Sequence, residues 1–194
     1  MLSQRGLTAL ELLISVSILV LLLATAMPPL TAWLANARVR SAAEQLQNSL
    51  RLAQSEALRR NRQTVLALTN ATPALAATPA ANGRNWYVQA LPLLAGETAD
   101  DSFYLHGSAL PASMGIGITG PALLCFNSIG RPVANSATGL GQTCSAPASA
   151  TAPTTYDLTN PSASKPLRVQ VFLGGQVRLC DPSRSLSTSA PDGC

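Results

Sequence analysis

Arg5-Gly6-Leu7-Thr8-Ala9-Leu10-Glu11-Leu12-Leu13-Ile14 leads into a run with no charged side chain from Leu12 to Ala37. Leu12 to Leu30 alone is 19 residues, and a helix needs about 20 mostly apolar residues to span a bilayer. One carboxylate, Glu11, stands at the front of this run, behind a single Arg and a Gly. A charged side chain carried well into a bilayer costs on the order of 2.5–3.5 kcal/mol on insertion scales, so an acid kept here points to a task beyond anchoring.

Two plainer readings compete. Ala24-Thr25-Ala26 is an A-x-A-like string, as in a secretory signal peptide cut after Ala26. Against it, the stretch before the run carries both Arg5 and Glu11 and so lacks clear positive charge. The chain also continues past Ala26 in a helical pattern rather than starting a new domain. The other plain reading, an uncut membrane anchor, leaves Glu11 unexplained.

Gly6-Leu7-Thr8-Ala9-Leu10-Glu11-Leu12-Leu13 resembles the prepilin cleavage and methylation motif of type IV pilin-like proteins. The resemblance implies that a membrane peptidase cuts between Gly6 and Leu7. The new amine of Leu7 is then methylated, and Glu11 becomes the family's acid near the mature N-terminus. Leu7 departs from the Phe favoured at the first mature position. Pro28 sits where many members kink their helix, and Pro removes a backbone donor and clashes with the preceding turn. In an apolar surround Glu11 can pair with the free amine of a neighbouring subunit, offsetting much of the desolvation cost that an unpaired charge would carry. Glu11 thus reads as a device of subunit assembly rather than a catalytic acid.

The remaining composition fits one modest domain plus an anchor. Charged residues make up 11% of the 194, and the formal net charge is +4; losing Arg5 with the leader lowers the side-chain sum to +3. Twelve of the thirteen basic residues are Arg, a balance too mild to imply nucleic acid by itself. The one His, His106, stands in Tyr104-Leu105-His106-Gly107, and no HExxH, GxxxxGK[ST] or GxSxG string occurs. No catalytic constellation, metal set or cofactor motif is present, so an enzyme is not expected and neither is a small-molecule substrate.

The expected layout is a leader over 1–6, a transmembrane helix half over 7–34, an amphipathic half over 35–62 and a β-rich globular domain over 63–194. Leu7 to about Asn61 reads as one long helix interrupted by Pro28-Pro29. Beyond the kink, Val39, Ala43, Leu46, Leu50, Ala53 and Ala57 recur at spacings of four and three, a narrow apolar stripe that packs on the chain's own domain. Gln63–Thr69 and Asn85–Leu91 read as strands, the second with Trp86 and Val88 on one face and Tyr87 and Gln89 on the other. Asn70–Arg84 reads as a loop. Ser102–His106, Met114–Ile118 and Ala122–Asn127 are weaker strands, and Ser128–Gly130 a turn. Gly139–Pro153, mostly Ala, Ser, Thr and Gly, reads as a surface loop open to motion.

The last hairpin carries the clearest β pattern. Leu167, Val169, Val171 and Leu173 alternate with Arg168, Gln170 and Phe172, and Val177 and Leu179 alternate with Arg178 and Cys180. A two-residue Gly174-Gly175 turn sets Val171 opposite Arg178 and mixes the faces. A three-residue loop, Gly174 to Gln176, pairs Leu173 with Val177 and Val171 with Leu179 on one apolar face. Register follows the buried face, so this loop is favoured, with a Gly in a left-handed conformation. Arg168 and Arg178 then share the outer face.

Cys125, Cys144, Cys180 and Cys194 form no CxxC pair and lie beyond the anchor, where an exported domain meets an oxidising compartment. Four cysteines allow three pairings. The near-neighbour set, Cys125–Cys144 and Cys180–Cys194, is favoured; each closes a loop of order fifteen residues, worth about 3 kcal/mol in the chain-entropy picture.

Taken with the prepilin motif and the long helix, Asn85-Trp86-Tyr87-Val88 and the closing Gly174-Gly175-Gln176-Val177-Arg178-Leu179-Cys180-Asp181-Pro182 resemble the GspH/FimT family of pseudopilins and minor pilins. The resemblance implies an α+β, pilin-like fold: a long N-terminal helix, half membrane anchor and half amphipathic, packed on a C-terminal antiparallel β-sheet domain. It implies a noncatalytic subunit at or near the tip of a thin filament, held in the bacterial inner membrane by one pass, with its globular domain in the periplasm. Its partners are other pilin or pseudopilin subunits, met through the N-terminal helix, and the prepilin peptidase and methylase. The filament is either a type IV pilus or a type II secretion pseudopilus, and the cysteine-bearing tail favours the pilus. Some FimT-like members bind DNA through a Gly-Arg-x-Arg motif; the matching positions are Gly175-Gln176-Val177-Arg178, with Gln176 in place of the first Arg. Lys165, Arg168, Arg178 and Arg184 remain open as phosphate contacts, which need charge rather than sequence readout.

Overall fold

The computed structural model describes residues 8–94 and 96–194, with the side chains of residues 24–29 outside the description. A helix, α1 (Ala9–Arg60), dominates it. Thr8 caps the N-terminus in an extended conformation, and Glu11 completes a capping box with it, so two otherwise orphaned donors are satisfied at once. Asn61 ends the helix in the left-handed region, φ +50°, and its N–H donates to Leu58 O at 3.3 Å. At about 1.5 Å per residue α1 spans roughly 80 Å. It runs without a break through the position of Pro28, whose side chain lies outside the described residues.

Two sheets, antiparallel along their main strand order, pack on the second half of α1. The first has the order β3-β2-β1-β5-β6, from β1 (Thr64–Thr69), β2 (Asn85–Ala90), β3 (Tyr104–Ser108), β5 (Leu123–Phe126) and β6 (Pro132–Val133). The second has the order β10-β9-β8-β4, from β4 (Gly117–Thr119), β8 (Thr154–Thr159), β9 (Leu167–Val171) and β10 (Val177–Cys180). The expected stripe is the joint: Val39, Ala43, Leu46, Leu50, Ala53 and Ala57 are all fully buried, in one cluster with Leu66, Trp86, Phe126, Tyr156 and Val169. Thr64 Oγ1 donates to Ala53 O at 2.6 Å and turns the chain from helix to sheet. The Trp86 indole N–H donates to Ser49 Oγ at 2.9 Å in the buried joint. Ser49→Ala strands that donor, so it is expected to lower unfolding free energy by about 1–3 kcal/mol; chemical denaturation of the detergent-solubilised protein measures it, and an unchanged midpoint would contradict this role.

β1 and β2 are buried on both faces. Their outer face carries Val65, Ala67 and Tyr87, which join Leu123, Cys125 and Cys144 in a second, smaller core. The Asn70–Arg84 loop covers it: Tyr87 Oη donates to Ala77 O at 2.6 Å, and Ala76 N–H donates to Gln89 Oε1 at 2.8 Å. Burial pushes the Tyr87 phenol up to about 12.

Several expected elements differ. Ser102–His106 divides into a 3-10 turn, Asp101–Phe103, and β3; Met114–Ile118 divides likewise into Ala112–Met114 and the short β4. In both places a turn residue with its own local bond takes the front half: Asp100 Oδ1 accepts from Ser102 N–H at 2.9 Å, and Gly115 adopts φ +64°. The Gly139–Pro153 stretch is tied down at its centre, where β7 (Cys144–Ser145) pairs parallel to β5. β8 has no counterpart in the sequence reading, yet its Tyr156 and Leu158 are fully buried.

The last hairpin also shifts. β9 and β10 pair Val171 with Val177 and Val169 with Leu179, not Val171 with Leu179. The three-residue loop is Leu173–Gly175, one residue earlier than expected, closed by Phe172 N–H to Gln176 O at 2.9 Å. Gly175 takes the left-handed position at φ +91°, where a side chain would also run into the Gly130 carbonyl. Moving the loop by one residue moves the register by two, so the apolar face survives and only the partners change. Leu173 leaves that face for the turn, where it is partly exposed. Gln54 of α1 locks both turns by donating to Gly130 O at 2.7 Å and Gly175 O at 3.1 Å.

Beyond α1, Arg62 reaches Glu97 Oε1 at 2.9 Å and lies 5.1 Å from the Phe103 ring centre. Glu97 Oε2 also accepts the N–H groups of Leu93 and Leu94, at 2.7 and 3.1 Å. These backbone bonds first, then Arg62, hold its carboxyl from the ordinary 4.5 down to about 2. The folded value lies below the unfolded one, so this latch is complete above about pH 4.5 and is lost as pH falls towards 2. A carbon-13 titration of Glu97 is expected to show a midpoint near 2, with the Leu93 and Leu94 amides moving in step; a midpoint near 4.5 would contradict it.

Candidate assembly interface

The first half of α1 is bare. Eleven large apolar side chains between Leu10 and Leu23 are each 48–68% exposed. Leu12-Leu13-Ile14 and Ile18 to Leu23 are consecutive, so they point to every side of the helix. A helix apolar all round belongs in a lipid phase or among other helices. Among the described residues, full burial begins at Ala35. Among the described residues no helix is long and apolar enough to cross a membrane. The uncharged sequence run includes residues 24–29, whose side chains are outside that set.

Glu11 sits in the first turn. Its Oε2 accepts from both the Thr8 N–H and the Thr8 hydroxyl, each at 3.0 Å, and its own N–H donates to Thr8 Oγ1 at 3.3 Å. The carboxylate is thus folded back toward the N-terminal end of the helix, where the macrodipole is positive. The Thr8-x-x-Glu11 spacing is a capping-box signature that reading Glu11 alone passes over. The expected cleavage and methylation positions, Gly6 and Leu7, lie outside the described residues.

The cysteines pair as the near-neighbour set has it. Cys125–Cys144 joins β5 to β7 with Cα atoms 5.5 Å apart. Cys180–Cys194 fastens the tail to β10 with Cα atoms 5.2 Å apart.

The four candidate phosphate contacts do not make one open patch. Arg168 is bidentate to Asp157, at 2.6 and 3.0 Å. Arg178 donates to Pro191 O at 3.2 Å and Gly193 O at 2.7 Å, holding the tail. Arg184 Nη1 donates to both carboxylate oxygens of Asp192, at 3.0 and 2.9 Å. Only Lys165 of the four makes no ion pair or side-chain bond among the described residues. Lys165 and Arg184 do meet, with Arg40, around a cavity of about 430 Å³, but Asp181 and Asp192 line it too. Two carboxylates in the same hollow oppose a polyanion there. His106 is exposed on β3, opposite Val88.

No curated protein matches the chain. Among solved structures it is similar in shape to the type IV minor pilin FimU of Pseudomonas aeruginosa, at 15% identity and TM-score 0.46, over 80% of this chain and 98% of that one. It is likewise similar to the minor pseudopilin EpsH of the Vibrio cholerae type 2 secretion system, at 15% identity and TM-score 0.44, over 76% of this chain and 99% of that one. The family model for the type II transport protein GspH matches residues 42–175, from the buried half of α1 to the turn of the last hairpin. The chain belongs to the GspH family, whose members are structural pilin and pseudopilin subunits that assemble with others of their kind.

Proposed function

We propose that this protein is a minor pilin that helps to start or cap a type IV pilus at its tip. In this reading the chain is cut between Gly6 and Leu7, the Leu7 amine is methylated, and the apolar half of α1 holds the subunit in the inner membrane until it enters the filament. Glu11 then meets the amine of a neighbouring subunit. One observation carries the reading: an all-round apolar rod, exposed over its whole described length, with its single acid turned to the N-terminal end. A rod of that kind needs lipid or other rods around it, and a filament core supplies the second after the membrane has supplied the first.

The description of the matching family supports a second reading, a subunit of the type II secretion pseudopilus. Deletion of the gene separates the two. Loss of surface pili with intact protein secretion supports the pilus; intact pili with substrates retained in the periplasm supports the pseudopilus and refutes the first reading. DNA capture at a pilus tip gains little support, since three of its four candidate cations are held by internal partners. Mixing the detergent-solubilised protein with duplex DNA across a salt series tests it: no binding even at low salt removes it.

A further inference from the structure

Trp33 is the single aromatic residue in the sequence of α1 and is 64% exposed. After Glu11 the next charges along the chain are Arg38 and Arg40, both cationic and both exposed. The fold brings a third cation to the same level. Asn36 accepts the N–H groups of Ser164 and Lys165 on its Oδ1, each at 3.0 Å, and donates to Ser164 Oγ at 3.2 Å. This clasp sets Lys165 beside the helix, far from its place in sequence. A groove of about 320 Å³ runs between them, lined by Trp33, Asn36, Ala37, Arg40, Lys165 and Leu167. Arg38 borders a separate hollow with Leu34 and Asn160.

These cations lie on two sides of the helix rather than in one patch, Arg40 with Lys165 on one and Arg38 on the other. Arg38 and Arg40 stand about 200° apart around the helix at 3.6 residues per turn, and Trp33 and Arg40 share a side. Side chains of a helix lean toward its N-terminus, so both arginines tilt back toward the rod. Arg40 does bond Glu44 at 2.9 Å, but that pair is 71% and 49% exposed and competes weakly for the guanidinium. Neither Arg38 nor Lys165 makes an ion pair among the described residues. Asp181 and Asp192 line the adjoining hollow with Arg40 and Lys165, where Asp192 is engaged by Arg184, but the groove beside Trp33 is lined by neither. Positive charge on two sides of a helix, one or two turns above an exposed indole, matches a flat anionic surface better than a ligand that approaches from one side. Indoles settle at the headgroup level of a bilayer, and cations just outside the apolar core attract lipid phosphates.

We propose that Trp33, Arg38, Arg40 and Lys165 form a collar that binds the headgroups of anionic phospholipids and seats the globular domain on the membrane surface. This rests on the anchor reading above and adds to it a lipid preference and a fixed depth. The full-length protein is reconstituted in phosphatidylcholine vesicles that carry either brominated phosphatidylcholine or brominated phosphatidylglycerol at equal mole fraction. Trp86, fully buried in the joint, stays silent, so quenching reports Trp33.

Phosphatidylglycerol is expected to associate about fivefold more strongly than phosphatidylcholine, the factor that roughly 1 kcal/mol from a cation near the surface gives. The preference should shrink in Lys165→Gln and vanish in the triple variant Arg38→Gln, Arg40→Gln, Lys165→Gln, with quenching by phosphatidylcholine unchanged. Equal quenching by the two lipids in the unaltered protein, or a preference intact in the triple variant, overturns the collar and leaves the anchor standing. No quenching by either lipid overturns the anchor reading and the collar with it.

Discussion

Glu11→Gln should leave the protein folded and membrane-bound yet remove it from filaments. The acid has two roles to tell apart, capping and pairing, and this substitution separates them. A Gln can still close the capping box on Thr8, because its side-chain oxygen accepts the same N–H. It cannot carry the charge that an amine of a neighbouring subunit would meet. If the capping box were the whole role, Glu11→Gln would behave as the unaltered protein and only Glu11→Ala would fail. If pairing is the role, both fail together. Leaving a buried charge without its partner costs about 3–5 kcal/mol. At about 1.4 kcal/mol per decade this is a hundredfold or greater loss of incorporation. The ratio of this protein to the main filament subunit, in sheared filaments against membranes, gives the answer.

Leu46→Ala should weaken the globular domain by about 2–5 kcal/mol, out of a total that is seldom more than 5–15. Leu46 is fully buried in the cluster where the two sheets meet the helix. Truncation there leaves a cavity that rigid neighbours such as Trp86 and Phe126 cannot fill. The effect should differ sharply from that of Leu19→Ala on the bare rod, which is 56% exposed within the chain and meets none of its sheets. Thermal melts of the two variants in detergent are expected to show a large drop for the first and almost none for the second. Equal drops would mean that the helix is not the shared wall of the two sheets.

The long helix and its buried stripe were legible because period and length agree. Val39 through Ala57 repeat at helical spacing, and Asn61 supplies the left-handed stop. The near-neighbour disulfides were legible because each closes a short loop at the end of a strand. β8 was not legible. Thr154 to Thr159 alternates properly, but it follows a run of small polar residues and contains Asp157, whose charge speaks against a sheet interior. That charge is met by Arg168 on the adjacent β9, a partner no local window contains. The same pair explains why Arg168 is not an open cation. Sequence places a charge on a face, and only the fold shows what already neutralises it. Asn36 is a comparable case, an ordinary helix residue whose clasp on Ser164 and Lys165 depends on contacts about two-thirds of the chain away.

The pairing of acid and amine can be read directly. Purified filaments are treated with a zero-length carbodiimide, which joins a carboxylate to an amine only where the two touch, and the products are mapped by mass spectrometry. The expected result is a peptide in which Glu11 is joined to the N-terminal amine of another subunit, absent from the membrane-bound monomer. Filaments in which other carboxylate–amine pairs are joined while Glu11 is never linked to an N-terminal amine would contradict it.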